Sequence, residues 1–156
     1  LRKLDEGQYA AIILAAAGLK RLGFEARIAA ILEPEESLPA VGQGALGIEC
    51  RSERRDLIEL LTPFDHAETA WCVKAERAVS RALAGSCVVP LGAFAQFVAG
   101  SVRMRGFVAS PDGSRMVSAQ ASGGNLQQDP EAFGQLLADK PAAGGAREIL
   151  AALPHD

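Results

Sequence analysis

The sequence is poor in cysteine. Only three of its 156 residues are cysteines, Cys50, Cys72 and Cys87, and no two of them form a C-x-x-C pair. An odd number of cysteines without that spacing does not fit a disulfide framework or a zinc site. We therefore predict no structural disulfide and no metal, and we expect a reducing, cytoplasmic environment.

Positive charge, aromatic rings and long apolar runs are also scarce. The net charge is -3 and aromatic residues make up 5% of the chain, whereas nucleic-acid binding relies on a positive field and on rings for stacking. Asp5, Glu6 and Lys20 bracket the longest apolar run, which is shorter than the roughly 18 to 20 residues of a membrane helix. We expect neither nucleic acid nor a membrane as a partner.

The chain begins at Leu1, and its first residues have neither the cationic leader nor the apolar stretch of a signal peptide. We expect it to be the C-terminal half of a longer protein. At 49% hydrophobic residues it can bury a core, as one domain or as two small pieces.

Apolar runs near the start predict a strand at residues 9–15 and a helix at 18–22. One helix over residues 6–22 is the alternative, because alanine favours helices and periodicity alone does not decide between the two. Residues 25–32 predict a second short strand. The acidic turn at residues 33–36 then begins a proline-containing connector.

Residues 42–47 fit the pattern G-x-G-x-x-G. A dinucleotide-binding turn needs a strand before this pattern and a helix opening within it. Here Pro39 interrupts the approach, and residues 48–50 predict an alternating strand. We interpret the glycines as a sharp crossing between domains.

The rest of the chain predicts helices at residues 54–61 and 65–83, strands at 91–98, 101–109 and 115–121, and helices at 130–138 and 145–153. Asp65 is the predicted N-cap of the second helix, with Glu68 three residues later, and Gly85 is its predicted end. The Pro-Asp-Gly sequence at residues 111–113 is a strong hairpin signal. These elements predict three antiparallel strands with helices on one face.

Cys87 lies in a run of small residues, GSCVVPLG at residues 85–92. A thiol flanked by Gly85 and Ser86 can be reached by a bulky group, whereas one among leucines cannot. The alternative is a small core residue, because free cysteine is among the most often buried residue types. Composition alone favours that alternative.

Three blocks, in order, resemble the hydroxymethylbilane synthase (porphobilinogen deaminase) family. They are residues 10–23 (AAIILAAAGLKRLG), residues 38–51 (LPAVGQGALGIECR), and residues 75–78 (AERA) with 83–92 (LAGSCVVPLG). The third block resembles the family's cofactor-attachment segment. Ala84 and Ser86 stand where the family usually has an acidic residue and a second glycine.

The resemblance implies a fold that mixes α/β and α+β parts. Residues 1–38 would end the second domain of a hinged, periplasmic-binding-protein-like two-domain unit, and residues 39–44 would be the hinge. Residues 45–64 would return to the first domain. Residues 65–156 would form a small α+β domain with a three-stranded antiparallel sheet and helices on one face, carrying the cofactor cysteine.

The resemblance also implies a chemistry. Cys87 would hold a dipyrromethane primer through a thioether, and four porphobilinogen molecules would add to it with release of ammonia, giving hydroxymethylbilane for porphyrin and heme biosynthesis.

The resemblance implies roles for further residues. Arg21 matches a family arginine that contacts carboxylates, and Gln43 would face the cofactor cleft. Gly18 and Lys20, which precede Arg21, would also belong to the cofactor-binding site. The proton-handling aspartate would belong to the missing N-terminal half, so we expect no catalytic residue here and no turnover by this chain alone. The complete protein is expected to be a monomer.

Several roles remain open from the sequence. Lys20 and Arg21 also fit a solvated pair near a helix end. Arg77 and Arg81 share a helix face and could meet carboxylates or pair with Glu76 and Asp65 on the surface.

A non-catalytic ligand-binding module is the second hypothesis for the function, and a cysteine hydrolase with His66 as base is the third. Neither His66 nor His155 is next to Cys87 in sequence.

Overall fold

The computed structural model describes residues 1–83 and 89–152. The chain divides into two compact units, Leu1–Glu33 and Pro34–Asp156. No helix in the described ranges is long and apolar enough to cross a membrane.

The first unit contains two short helices, α1 (Arg2–Asp5) and α2 (Ala16–Arg21), and a 3-10 turn at Glu25–Arg27. None of these elements has a buried residue. An ion pair between Asp5 and Arg27 joins the start of the unit to its 3-10 turn.

The structure has helix α2 near the one predicted at residues 18–22, beginning two residues earlier at Ala16, but it does not have the predicted strands on either side. Residues 9–15 form no ladder, and residues 25–32 contain the 3-10 turn instead of a strand, so both strand predictions are wrong. A strand is defined by hydrogen bonds to a neighbour, and no described segment pairs with either run. The apolar side chains of Ile13 and Ile31 are exposed as a result.

The second unit contains the sheet. Strands β1 (Leu91–Val98), β2 (Ser101–Ala109) and β3 (Met116–Gly124) pair antiparallel in that order. Ala99 (φ 51°) and Gly100 (φ 77°) form the two-residue turn between β1 and β2, as expected of a tight hairpin with positive φ at both positions. The predicted Pro-Asp-Gly turn is confirmed by the hydrogen bond from Gly113 N to Ser110 O (2.9 Å).

Within its described residues, this unit has four α-helices: α3 (Arg55–Leu61), α4 (Ala67–Ala82), α5 (Pro130–Pro141) and α6 (Arg147–Ala151). A 3-10 turn, Thr62–Phe64, separates α3 from α4. Gly145 (φ 101°) breaks the helical path between α5 and α6, so the last predicted helix begins two residues late. Residues 48–50 form no strand, contrary to prediction.

The predicted N-cap of α4 is also wrong. His66 caps the helix, accepting a hydrogen bond from Thr69 N (3.3 Å), whereas Asp65 ends the preceding 3-10 turn. That turn delays the start of α4 and moves the cap one residue along the chain. Glu68 therefore lies in the first turn without the predicted Asp65 partner.

The core lies between the sheet and helices α4 and α5. Alternate residues of β2, Val102, Met104 and Val108, are fully buried, as expected when one face of a sheet is covered. Leu137 of α5 and Val79 of α4 meet them in the same cluster. The predicted small α+β domain with a three-stranded antiparallel sheet is confirmed.

Candidate functional site

Three predicted site residues, Gly18, Lys20 and Arg21, lie on the short helix α2 of the first unit. All three are exposed. Lys20 Nζ lies 3.6 Å from Glu25 Oε1, in an exposed pair. Arg21 forms no ion pair with any residue in the described part of the chain. Its guanidinium is therefore accessible to an anion.

Cys87, the predicted attachment residue, lies with residues 84–88 outside the described residues. Gly85, the predicted end of the preceding helix, lies there too. On the described side, α4 ends at Ala82 with Leu83 as its C-cap. β1 begins at Leu91. The elements that flank the cysteine segment are thus well-packed parts of the second unit.

Gln43 stands in a tight turn whose backbone demands glycine on both sides. Gly42 and Gly44 have φ values of 70° and 84°, in the left-handed region that favours glycine. Gln43 N donates to Ala40 O (3.0 Å), and Ala45 N donates to Gly42 O (3.2 Å). Residues 45–50 form no helix, which a dinucleotide-binding turn would require.

The turn lines a cleft of about 350 Å³ in the second unit. Its other walls are the first turns of α4 and the middle of β1. Its lining comprises Gln43, Gly44, Ala45, His66, Glu68, Thr69, Cys72, Val73, Glu76 and Phe94 to Phe97. The turn thus presents Gln43 to a cleft, although the sequence alone did not show which elements form its walls.

Glu76 is the buried charge of this cleft. Its side chain is 4% exposed, with Oε2 accepting from Gly42 N (2.8 Å) and Oε1 accepting from Ala95 N (2.8 Å). Burial raises the pKa of the Glu76 carboxyl, and the two backbone hydrogen bonds oppose that shift. The predicted surface pairing of Glu76 with Arg77 or Arg81 is wrong, because the carboxylate points into the protein.

The two arginines on α4 have different surroundings. Arg81 Nη2 lies 3.1 Å from Glu131 Oε2 of α5, and both side chains are more than half exposed. Arg77 is exposed and forms no ion pair within the described residues. Surface pairing is therefore confirmed for Arg81, with a partner on another helix.

His66 and Cys72 have structural roles. The Nδ1 atom of His66 is occupied by the Thr69 N–H at the start of α4. Cys72 is in the core, and burial and then the charges of Glu76 and Glu68 raise the pKa of its thiol to about 11. Cys50 is half-buried and does not lie on a strand. A histidine-activated thiol is not formed by these residues.

Sequence reasoning missed the role of Glu76, although a signal was present. The buried face of α4 carries Cys72, Ala75, Ala78 and Val79, and Glu76 falls within that face at a spacing of four from Cys72. A lone carboxylate on an apolar helix face needs partners. The partners are backbone amides distant in sequence, which no pattern identifies.

The second unit defines a small α+β domain whose connector turn opens onto a cleft at the edge of the sheet. Comparison with known families is consistent with this class. A family model described as "Porphobilinogen deaminase, dipyromethane cofactor binding domain" matches residues 1–59. A second, "Porphobilinogen deaminase, C-terminal domain", matches residues 70–142. The chain belongs to the porphobilinogen deaminase family.

Curated relatives agree. The chain is 62% identical over 156 residues to a porphobilinogen deaminase of Methylobacillus flagellatus, covering 100% of this chain and 50% of the relative. It is 60% identical over 153 residues to one of Nitrosomonas europaea (98% and 49%). For Thiobacillus denitrificans the identity is 58% over 154 residues (99% and 50%).

The chain therefore spans about half the length of the curated relatives it matches. All three relatives carry the name of an enzyme, so the comparisons do not support the alternative of a non-catalytic ligand-binding module.

Proposed function

We propose that this chain is the primer-bearing C-terminal part of a hydroxymethylbilane synthase, the enzyme also called porphobilinogen deaminase. The complete enzyme condenses four porphobilinogen molecules into hydroxymethylbilane and releases ammonia. The observation that carries the proposal is the match of both family models, in order, together with 62% identity to one relative along the whole chain.

Cys87 is the proposed attachment residue. A sulfur–carbon bond forms as the carbon–nitrogen bond of an aminomethyl pyrrole breaks, and the thiol proton leaves with the ammonia. Of the other thiols, Cys72 is buried and its pKa is raised to about 11, which leaves it mostly protonated at neutral pH. When bound, the dipyrromethane would supply the pyrrole carbon to which the first new unit is joined, and each later unit would join the free end of the growing chain.

Arg21 is the proposed carboxylate-binding residue. Porphobilinogen carries an acetate and a propionate, and a guanidinium can pair both oxygens of a carboxylate while staying charged. The cleft beside Gln43 has Glu68 and Glu76 on one wall and no lysine or arginine in its lining among the described residues, so the cation that pairs with a carboxylate comes from elsewhere. The accessible Arg21 suits this role, with Lys20 as a second cation. Gly18 leaves the approach open, since no atom of the described residues lies within 4 Å of a Cβ built there.

The remaining parts of the proposal concern the complete protein. The N-terminal half would supply the acid–base aspartate and complete the hinged, periplasmic-binding-protein-like pair of domains, with residues 39–44 as the crossing between them. Gln43 would face the primer from that crossing. The complete protein would work as a monomer in the cytoplasm, where thiols stay reduced.

Intact-mass measurement tests the proposal. The chain is mixed with the N-terminal half of the Methylobacillus flagellatus relative and with porphobilinogen, then denatured and mapped by peptide mass. We expect an added mass of two condensed pyrroles on Cys87, its loss in Cys87→Ala, and its retention in Cys50→Ala. An adduct on Cys50 or Cys72, or none in the presence of the N-terminal half, would contradict the proposal.

A further inference from the structure

The connector, which runs from Pro34 to the glycine turn at Gly42, is attached to the sheet domain at three separate points. Arg105 Nη2 of β2 lies 3.0 Å from Glu35 Oε1. Val41 packs against the hydrophobic core. Gly42 N donates to the buried Glu76 carboxylate (2.8 Å). The connector is therefore held along its length and belongs to the same compact unit as the sheet, which begins at Pro34.

The Glu76 contact is the one that joins the connector directly to the cleft wall. β1 is an edge strand of the sheet, and Ala95 N of that strand donates to Glu76 Oε1 (2.8 Å). One carboxylate therefore bridges two backbone amides from segments more than 50 residues apart in sequence. Hydrogen bonds to an ionised acceptor are about twice as strong as neutral ones.

We propose that Glu76 is a positioning residue that locks the Gly42 turn to the edge of β1 and so sets the place of Gln43 in the cleft. The connector then moves with the sheet domain as one body. This inference extends the proposed function, because it concerns how Gln43 is presented, but the lock itself requires no turnover.

The lock depends on two acceptor oxygens in one side chain. Glutamine keeps the shape but has a single acceptor, so its NH2 group would face one of the two backbone N–H groups. Aspartate keeps the charge but is one methylene shorter, so it cannot reach both amides. Glu68 lines the same cleft and is exposed, which makes Glu68→Gln a matched control for loss of charge.

Hydrogen–deuterium exchange on the complete 156-residue chain tests the lock. We expect Glu76→Gln to speed exchange of whichever amide loses its acceptor, Gly42 or Ala95, about tenfold or more. Exchange at Met104 and Val108 of β2 should stay unchanged, and so should the whole pattern in Glu68→Gln. Glu76→Asp should give the same local effect, which covers the case in which the glutamine variant folds poorly.

Two outcomes would overturn the inference. In one, exchange at both Gly42 and Ala95 stays at the wild-type rate in both Glu76 variants. In the other, exchange rises equally across β2, which would show that Glu76 only stabilises the domain as a whole. The mass test on Cys87 is independent, so a missing pyrrole adduct with the expected exchange pattern would remove the proposed function and leave the lock.

Discussion

A single buried carboxylate, Glu76, connects the cleft to the sheet without any cation beside it among the described residues. Burying a charge is costly unless hydrogen bonds replace the lost water. Here two backbone amides at 2.8 Å do so in part, and burial still raises the pKa of the carboxyl above its ordinary value. Ionising Glu76 in the folded protein therefore lowers the free energy of unfolding at neutral pH, although the same carboxylate holds the connector in place.

That raised pKa predicts a pH-dependent stability. A carboxyl with a higher pKa in the folded state contributes stability that is complete below its unfolded pKa, about 4.3, and is lost as the pH rises through the folded pKa. The free energy of unfolding of the wild type, minus that of Glu76→Gln, should therefore be larger near pH 4 than near pH 8. Urea unfolding followed by Trp71 fluorescence measures both.

Other titratable groups line the cleft on the same helix as Glu76, namely its N-cap His66, Glu68 and Cys72. They are present in both proteins, so their own contributions cancel in the difference. A difference that is constant with pH, or larger near pH 8, would show that the Glu76 carboxyl is not shifted upward.

The thiols should differ in reactivity for the same physical reason. Cys72 is buried, and burial raises the pKa of its thiol to about 11. Cys50 is half-buried and is not part of the buried core cluster. At about pH 8, iodoacetamide should label Cys50 in the folded protein and leave Cys72 unlabelled, because only the thiolate reacts. Peptide mass mapping gives the extent at each site, and both should label in urea. Labelling of Cys72 as fast as Cys50 in the folded state would contradict this.

The site shows which features a sequence can carry. The glycine turn around Gln43 and the basic helix end at Lys20 and Arg21 were predictable, because turn chemistry and local charge are properties of neighbouring residues. The roles given to Gln43 and Arg21 came from the family resemblance. The cleft was not, since its walls come from α4 and β1, whose approach depends on packing. Glu76 was assigned to a surface pair because its amide partners have no side-chain signature.

Helices α4 and α5 touch closely enough to require glycine at position 134. A Cβ there would lie 2.2 Å from Ala75 O and 2.8 Å from Ala78 Cβ. Gly134→Ala should therefore cost at least about 2 kcal/mol of stability despite the better helix propensity of alanine. Urea unfolding measures the loss. Leu136→Ala, two residues along and 61% exposed, is the control and should change stability little. Equal effects of the two would argue against close contact between these helices.

The sheet and the first unit show why prediction succeeded for one and failed for the other. Strands β1 to β3 are joined by tight turns, so each finds its partner nearby along the chain and short-range signals define it. Residues 9–15 have the same apolar composition but no described partner strand. Apolar composition is therefore not enough to predict a strand, because a strand also needs a neighbour that the sequence window does not contain.

The two compact units are unequal in what stabilises them. Every residue of the buried core cluster lies between Trp71 and Ile149, in the second unit, whereas the helices of the first unit bury nothing. Trp71 is the chain's single tryptophan. It packs against Phe97 and Phe133 and donates from Nε1 to Gln128 O (2.9 Å). Its fluorescence therefore reports on the second unit.

This division predicts the behaviour of truncated chains. A chain of residues 34–156 keeps the whole core and both amide partners of Glu76, so its urea midpoint by Trp71 fluorescence should equal that of the complete chain. A chain of residues 68–156 should fold as well, but with a lower midpoint, because it loses His66, the cap of α4, and leaves Glu76 with Ala95 as its one remaining amide partner. A midpoint for residues 34–156 well below that of the complete chain would mean that the first unit stabilises the second. Equal midpoints for all three chains would show instead that the connector adds nothing to the stability of the sheet domain.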